Sequence, residues 1–357
     1  MSGPPARPSV GVGGPDSPGP GIPSAGSLGT DLPGARESAG RLGGLAWTAL
    51  GLVYVVWGST YLAIRIADRT MPPFLSAAAR FLAAGLLLAG AIGWRSMRAG
   101  GTRHPGPREP SPLSIIRRQL ASVVLVGLLL LVGGNGLVVL AETVIPSGLA
   151  ALLVAAVPLW VVVLRAGFGD RPRGATVVGV LLGFAGLIVL TVPGIAGSVK
   201  LSGVVAVIAA SVLWSTGSFA SSRLPMPVNP FVASAYEMLA GGIGDLLIGL
   251  GRGEQHRVHL ASISTGSWLA LAYLVVFGSI VAFTAYAWLL QNAPLSLVST
   301  YAYVNPVVAV ALGWLILAEP VSWPIALGGA IVVAGVGVVV SNERRRGPAQ
   351  PLTEEVP

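Results

Sequence analysis

From Leu45 onward the chain alternates long apolar stretches with short polar connections, and the stretches recur almost to its end. A helix needs about 20 predominantly apolar residues to cross the hydrocarbon core. Ten stretches have that character: 45–66, 73–93, 119–141, 146–165, 175–193, 201–221, 230–250, 267–290, 294–317 and 324–341. The pattern predicts an all-α integral membrane protein with ten transmembrane helices, numbered 1 to 10 here. The connections are short except 94–118, which carries Arg95, Arg98, Arg103, Arg108, Arg117 and Arg118. Residues 1–44 are rich in Pro, Gly and Ser and lack the apolar core of a signal peptide. They read as a disordered cytoplasmic tail, and 342–357 as a second cytoplasmic tail.

Composition sharpens the class. Only 10% of the residues are charged, against about 25% in soluble domains, and the mean hydropathy is +0.77. So few charges cannot cover a water-facing surface of this size, and the expected surroundings are a lipid bilayer. The net charge of +8 does not point to nucleic acid, because the arginines sit at the ends of apolar stretches and not along one amphipathic face. With an N-terminus inside, 16 of the 22 Lys and Arg residues fall on the cytoplasmic side. The positive-inside rule therefore places both termini in the cytoplasm and the protein in the cell membrane. The absence of cysteine excludes disulfides, thiolate metal sites and a cysteine nucleophile. His104, His256 and His259 fall in loops without metal-ligand spacing, and no phosphate-binding loop motif is present. No cofactor or metal is expected.

The chain also repeats itself. Trp57 and Trp214, Pro73 and Pro230, Phe74 and Phe231, Arg80 and Glu237, and Gly85 and Gly242 are each 157 positions apart. Further along, Pro146 and Pro294, Leu149 and Leu297, and Pro158 and Pro306 are 148 apart. Prolines and tryptophans do not fall into one register merely because helices are greasy. Each half, 45–193 and 201–341, then holds five spans. An odd number makes the second half enter from the opposite side, giving inverted repeats with a site between them near mid-membrane.

The run Trp57-Gly58-Ser59-Thr60-Tyr61, followed by Arg80-Phe81-Leu82-Ala83-Ala84-Gly85, resembles the opening helix pair of the EamA family in the drug/metabolite transporter superfamily. Gly133-Gly134-Asn135-Gly136, Ala141-Glu142, Val144 to Gly148, Glu237-Met238-Leu239 and Tyr301 to Pro306 resemble a bacterial inner-membrane branch of it. The resemblance covers about 45–341. It implies two inverted five-helix repeats, a cavity lined mainly by helices 1, 3, 4, 6, 8 and 9, and export or exchange of small metabolites such as amino acids, amines or drugs.

Candidate site residues follow from polar and kinking positions inside the apolar helices. In helix 9, Tyr301 and Asn305 share a face and are expected to line the cavity, whereas Tyr303 is rotated about 200° away. Asn305 has a second reading, as a bridge to backbone carbonyls freed by Pro306. Pro158 and Pro306 are repeat mates and either hinges or static kinks. Trp57, Ser59, Thr60 and Tyr61 in helix 1 correspond to Trp214, Thr216, Gly217 and Ser218 in helix 6. Aromatic and hydroxyl side chains together suit a ligand with an apolar body and a polar handle, so Trp57, Ser59, Thr60, Tyr61, Trp214 and Thr216 are candidates. Tyr286 in helix 8 joins them, and so does Asn135, whose flanking glycines admit close approach.

Arg80 and Glu237 are opposite charges at matched positions, open to reading as an ion pair between helices 2 and 7 or as side chains that each snorkel to an interface. Glu142 is a coupling or mouth charge, or a solvated turn residue, and Asp245 is expected at an interface. Glycines in helices 5 and 10, among them the Gly179/Gly183 pair, mark a scaffold and a candidate homodimer face. The leading function is a secondary transporter of a small amphipathic molecule. The alternatives are a membrane-embedded enzyme, for which no catalytic constellation is visible, and a non-transporting receptor or assembly protein.

Overall fold

The computed structural model describes residues 3, 44–100, 113–169, 172–195, 199–293, 298 and 301–344. The expected tails lie outside these residues except for Gly3, Gly44 and positions 342–344. The described residues contain no strand. They run as the helices α1 (Gly44–Ala67), α2 (Pro73–Gly100), α3 (Arg117–Glu142), α4 (Ser147–Gly167), α5 (Gly174–Ile195), α6 (Leu201–Ser221) and α7 (Pro230–Gly251). After two short 3-10 turns come α8 (Thr265–Tyr273, Leu274–Val281 and Ala282–Asn292 end to end), α9 (Tyr301–Leu317) and α10 (Trp323–Arg344). Seven helices, namely α1 to α4 and α6 to α8, are long and apolar enough to cross a membrane. The other three carry shorter apolar stretches: Gly174–Leu190, Val304–Leu317 and Trp323–Val339. At 1.5 Å per residue, a 17-residue helix such as α9 spans only about 25 Å.

Local chemistry explains several boundaries. Pro73 and Pro230 begin α2 and α7, where the missing N–H costs nothing. Asn229 caps α7 by accepting a bond from the Phe231 N–H at 2.9 Å, and Ser264 caps α8 through the Ser267 N–H at 3.1 Å. α10 continues to Arg344, so the predicted boundary at 342 falls inside a helix.

Three rods depart from regular α geometry. α3 and α8 each contain a π-helical segment, Leu128–Gly136 and Leu274–Val281. α4 breaks at Ala155 and Ala156, and its second segment starts at Val157 with Pro158 in its first turn. Pro158 was expected within a helix; it lies instead in the first turn of a new segment, while Pro306 stays inside continuous α9. The break in α4 is clamped from α6: Ser211 Oγ donates to Leu153 O at 3.3 Å and Ser215 Oγ to Val157 O at 3.0 Å.

Glycines set the closest helix crossings. A Cβ on Gly85 of α2 would meet Leu239 of α7, and one on Gly242 of α7 would meet Leu82 of α2. A Cβ on Gly335 of α10 would stand 2.5 Å from the Gly183 N of α5, and one on Gly186 of α5 would stand 2.7 Å from the Val332 N of α10. These glycines of α5 and α10 thus face each other within one chain. Gly335→Val should cost several times the roughly 1–3 kcal/mol of ordinary overpacking, because it strikes backbone that cannot yield. Thermal unfolding in detergent should show a large loss for Gly335→Val and almost none for Gly93→Ala, where a Cβ meets nothing within 4 Å.

Candidate functional site

Arg80 of α2 lies between the two π segments. It is 4% exposed. Its Nε donates to Ser279 Oγ in α8 at 2.8 Å, and its Nη1 reaches Asn135 Oδ1 in α3 at 3.4 Å. The guanidinium also lies 4.7 Å from the centroid of the Phe81 ring. A π segment carries an extra residue in its turn and re-aims side chains, a distortion that recurs at functional sites. Both π segments here deliver a polar side chain to the same arginine.

Arg80 lines a cavity of about 60 Å³ walled by α1, α2, α3, α4, α6, α8 and α9. Of the residues anticipated from sequence, Trp57, Thr60, Tyr61, Asn135, Trp214, Tyr301 and Asn305 line it. Arg80 and Phe81 add a wall from α2 that the family pattern did not include, and Ser211 and Phe283 also contribute. The α4 wall is the apolar Val154.

An aromatic cluster narrows the cavity. The Trp57 ring is 5.7 Å from Trp214 and 5.3 Å from Tyr301, both edge-on, and 4.8 Å from Tyr286. Trp57 Nε1 donates to Gly278 O in the α8 π segment at 3.2 Å, which fixes the ring. A Cβ on Gly134 would stand 2.6 Å from the Trp214 ring, so the glycine beside Asn135 makes room for that indole. Trp214 Nε1 is buried without a hydrogen-bond partner.

Three anticipated lining residues sit elsewhere. Ser59 bonds the Tyr273 hydroxyl at 2.6 Å and Val56 O at 2.8 Å. Thr216 donates back to Val212 O at 2.8 Å, one turn earlier in α6. Tyr286 packs behind Trp57 with its hydroxyl 3.3 Å from Ser218 Oγ. Asn305 both lines the cavity and braces the bundle: with its amide turned so that the nitrogen faces its two acceptor neighbours, it donates to Tyr301 O at 3.2 Å and to Tyr54 O of α1 at 3.0 Å. The carbonyl left free by Pro306 is that of Ala302, so Asn305 ties α9 to α1 and bonds a carbonyl of its own helix other than the one the proline frees. The side chain of Tyr303 lies outside the described residues.

The charged positions differ most from expectation. Arg80 and Glu237 form no ion pair; Arg80 is held by Ser279 and Asn135, while a Cβ on Gly127 of α3 would stand 2.6 Å from Glu237 O, placing the Glu237 backbone against that helix. Glu142, one of whose readings was a solvated turn residue, is 0% exposed, and neither of its carboxylate oxygens has a hydrogen-bond partner. Asp245, expected at an interface, is likewise 0% exposed with both oxygens unpartnered. Helix length alone could not reveal this, because neighbouring helices rather than position along the rod cover these side chains.

At the same end of the bundle as Glu142, Glu319 follows α9 and caps the start of α4. Its carboxylate accepts from Ser147 N at 3.1 Å, Ser147 Oγ at 2.7 Å and Gly148 N at 3.3 Å, and lies 3.8 Å from Arg65 Nε. Arg65 also donates to the backbone carbonyl of Glu142. Ala318 adopts φ +53° to turn the chain toward this cap. Arg65, Asp68, Arg69, Thr143, Leu317 and Glu319 surround a second, polar pocket of about 270 Å³. Neither Glu319 nor Ser279 stood out in the sequence; the only local signal for the former was Pro320 after an apolar run.

Comparison with known proteins agrees with this architecture. Residues 45–192 and 201–341 match the EamA-like transporter family, and the chain belongs to that family. It is 40% identical over 313 residues to the inner membrane transporter YedA of Escherichia coli K12, covering 86% of this chain and 94% of YedA. It is 26% identical over 301 residues to a transporter of Archaeoglobus fulgidus, covering 82% of this chain and 98% of that one. A solved crystal structure 26% identical in sequence superposes with a TM-score of 0.54 over 84% of this chain and 97% of its own. The protein is a multi-pass membrane transporter.

Two measurements follow from the Glu319 end. A non-glycine residue in the left-handed region costs about 1–2 kcal/mol, so Ala318→Gly should raise the thermal midpoint, whereas Glu319→Ala should lower stability by about 2–3 kcal/mol through loss of charge-assisted bonds. Asp68, in the turn after α1, has its pKa raised well above the usual carboxylate range, chiefly by burial and further by Glu254, against the lowering influence of Ser76 and Arg65. A raised folded-state value means the folded chain holds the proton more tightly, so stability falls as pH rises from the ordinary aspartate range. Unfolding midpoints of Asp68→Asn across pH 4–8 should lack that part of the slope.

Proposed function

We propose that this chain is a secondary transporter, working as an exporter, that moves small amphipathic metabolites such as amino acids, amines or drugs across the cytoplasmic membrane by alternating access. In this reading all ten helices span, the two halves are inverted five-helix repeats, and both termini are cytoplasmic. The carrying observation is the aromatic and polar cavity walled by helices of both halves, with a charged arginine at one wall.

Several features support the inverted repeat. Leu82 and Leu239 stand at the same offset as Gly85 and Gly242. The contact of Gly85 with Leu239 is therefore repeated, with the halves exchanged, as Gly242 with Leu82. Gly179 facing Gly335 and Gly186 facing Gly328 form a second exchanged pair. Such reciprocity is what a twofold axis relating the two halves generates. The two π segments, in the third helix of each half, fit the same axis.

The cavity at about 60 Å³ is well below the roughly 300–1,000 Å³ of pockets that enclose drug-sized ligands. This conformation is therefore contracted, and substrate entry requires the aromatic cluster to part. Alternating access supplies that motion, and the broken α4 and the proline in α9 supply places for the backbone to bend.

Purified protein in liposomes should support counterflow of a labelled solute found by profiling the medium of overexpressing cells. Trp57→Ala should lower that flux at least tenfold with the chain still folded. Solute turnover without flux would overturn the transport reading. Among the two prolines, Pro306→Ala should slow transport more than Pro158→Ala, because Ser211 and Ser215 already brace the bend in α4. Equal, unchanged rates in both variants would remove hinge motion from the cycle.

A further inference from the structure

The transporter reading leaves open what the buried arginine is for. A guanidinium carries five N–H donors and no acceptor. Arg80 uses one on a neutral hydroxyl at 2.8 Å and another on a neutral amide at 3.4 Å. Among the described residues no carboxylate lies within the 4.0 Å of an ion pair with it. Asp245 and Glu142 act on it through space, yet all four of their carboxylate oxygens lack a hydrogen-bond partner. A cation kept out of water without a contacting anion is costly, and intramembrane charges are held where they pair with something. The guanidinium lines the cavity, so the missing partner can be supplied from there.

We propose that Arg80 is the anchor for a carboxylate on the transported molecule, and that the site selects small organic monoanions with a flat apolar body. This rests on the transporter reading for the cavity and names the charge of its cargo. Ser279 and Asn135 act as positioning residues: they hold the guanidinium plane from opposite helices and leave the rest of its donor fork for the ligand. Trp57, Trp214 and Tyr301 supply a wall of ring edges and faces for the apolar body. Arg80 is the single cation among the residues lining this cavity. One positive charge matches one carboxylate, whereas a polyanion would need several basic side chains.

The test compares three probes with one phenyl body: phenylacetate (anion), phenethylamine (cation) and 2-phenylethanol (neutral). Equilibrium dialysis with the purified full-length protein measures their binding without requiring transport. Phenylacetate should bind at least about tenfold more tightly than either of the others, the scale of a charge-assisted bond. In Arg80→Gln this preference should vanish while 2-phenylethanol binding stays within about twofold, which also reports that the cavity is intact. Arg80→Lys should retain a reduced preference, since it keeps the charge but not the fork.

Equal or tighter binding of phenethylamine to the unaltered protein overturns the proposal, as does an anion preference that survives Arg80→Gln. Should Arg80→Gln not fold, the ranking of the three probes on the unaltered protein decides. Anion-selective binding with no flux in liposomes would defeat the transporter reading and leave this site standing. Flux of cations with no anion preference would do the reverse.

Discussion

Polar groups buried in a bundle of apolar helices have no water to turn to, and this constraint organises the whole molecule. At several irregular places its carbonyls and side chains are matched across helices. Ser211 and Ser215 of α6 reach the carbonyls at the break in α4. Asn305 of α9 reaches the Tyr54 carbonyl in α1, and the Trp57 indole of α1 takes the Gly278 carbonyl in α8. Glu319, beyond α9, takes the free N–H groups at the start of α4. The break in α4 and the π segment of α8 are each met by a side chain from another helix, so these departures from regular geometry are affordable where the fold brings such a partner.

Those departures coincide with the cavity. The two π segments turn Asn135 and Ser279 toward Arg80, and the Trp57 bond to one of them links the aromatic cluster to the same place. The cavity lining and the helix distortion are therefore one arrangement: a change in the π segment of α8 would move both the arginine's partner and the carbonyl that fixes Trp57. The glycine-on-backbone contacts of α5 with α10 lie apart from this region and give it a stiff support.

Much of the architecture was legible along the chain. Apolar stretches located the helices, since lipid demands length and apolarity in continuous sequence. Matched tryptophans, prolines and glycines exposed the duplication, and seven of the ten lining candidates do face the cavity because polar or aromatic residues in such helices have few other uses. Ser59, Thr216 and Tyr286 failed as lining residues for one reason: a hydroxyl can be satisfied by the preceding turn or a neighbouring hydroxyl, and only packing decides which. The π segments had no signature, because an extra residue in a turn depends on what the neighbouring helices require.

Sequence by itself thus determined that this is a duplicated, helical membrane transporter of the EamA-like family, with an aromatic and polar lining drawn from helices 1, 3, 6 and 9. Tertiary structure decided how the charges are spent. Arg80 and Glu237 occupy matched positions in the repeat, yet Arg80 is drawn to Ser279 and Asn135, and Glu142 and Asp245 are wholly covered although both lie close to helix ends. Pairing of a charge is a matter of a few ångströms between side chains on different helices. Periodicity along one chain carries no information at that scale.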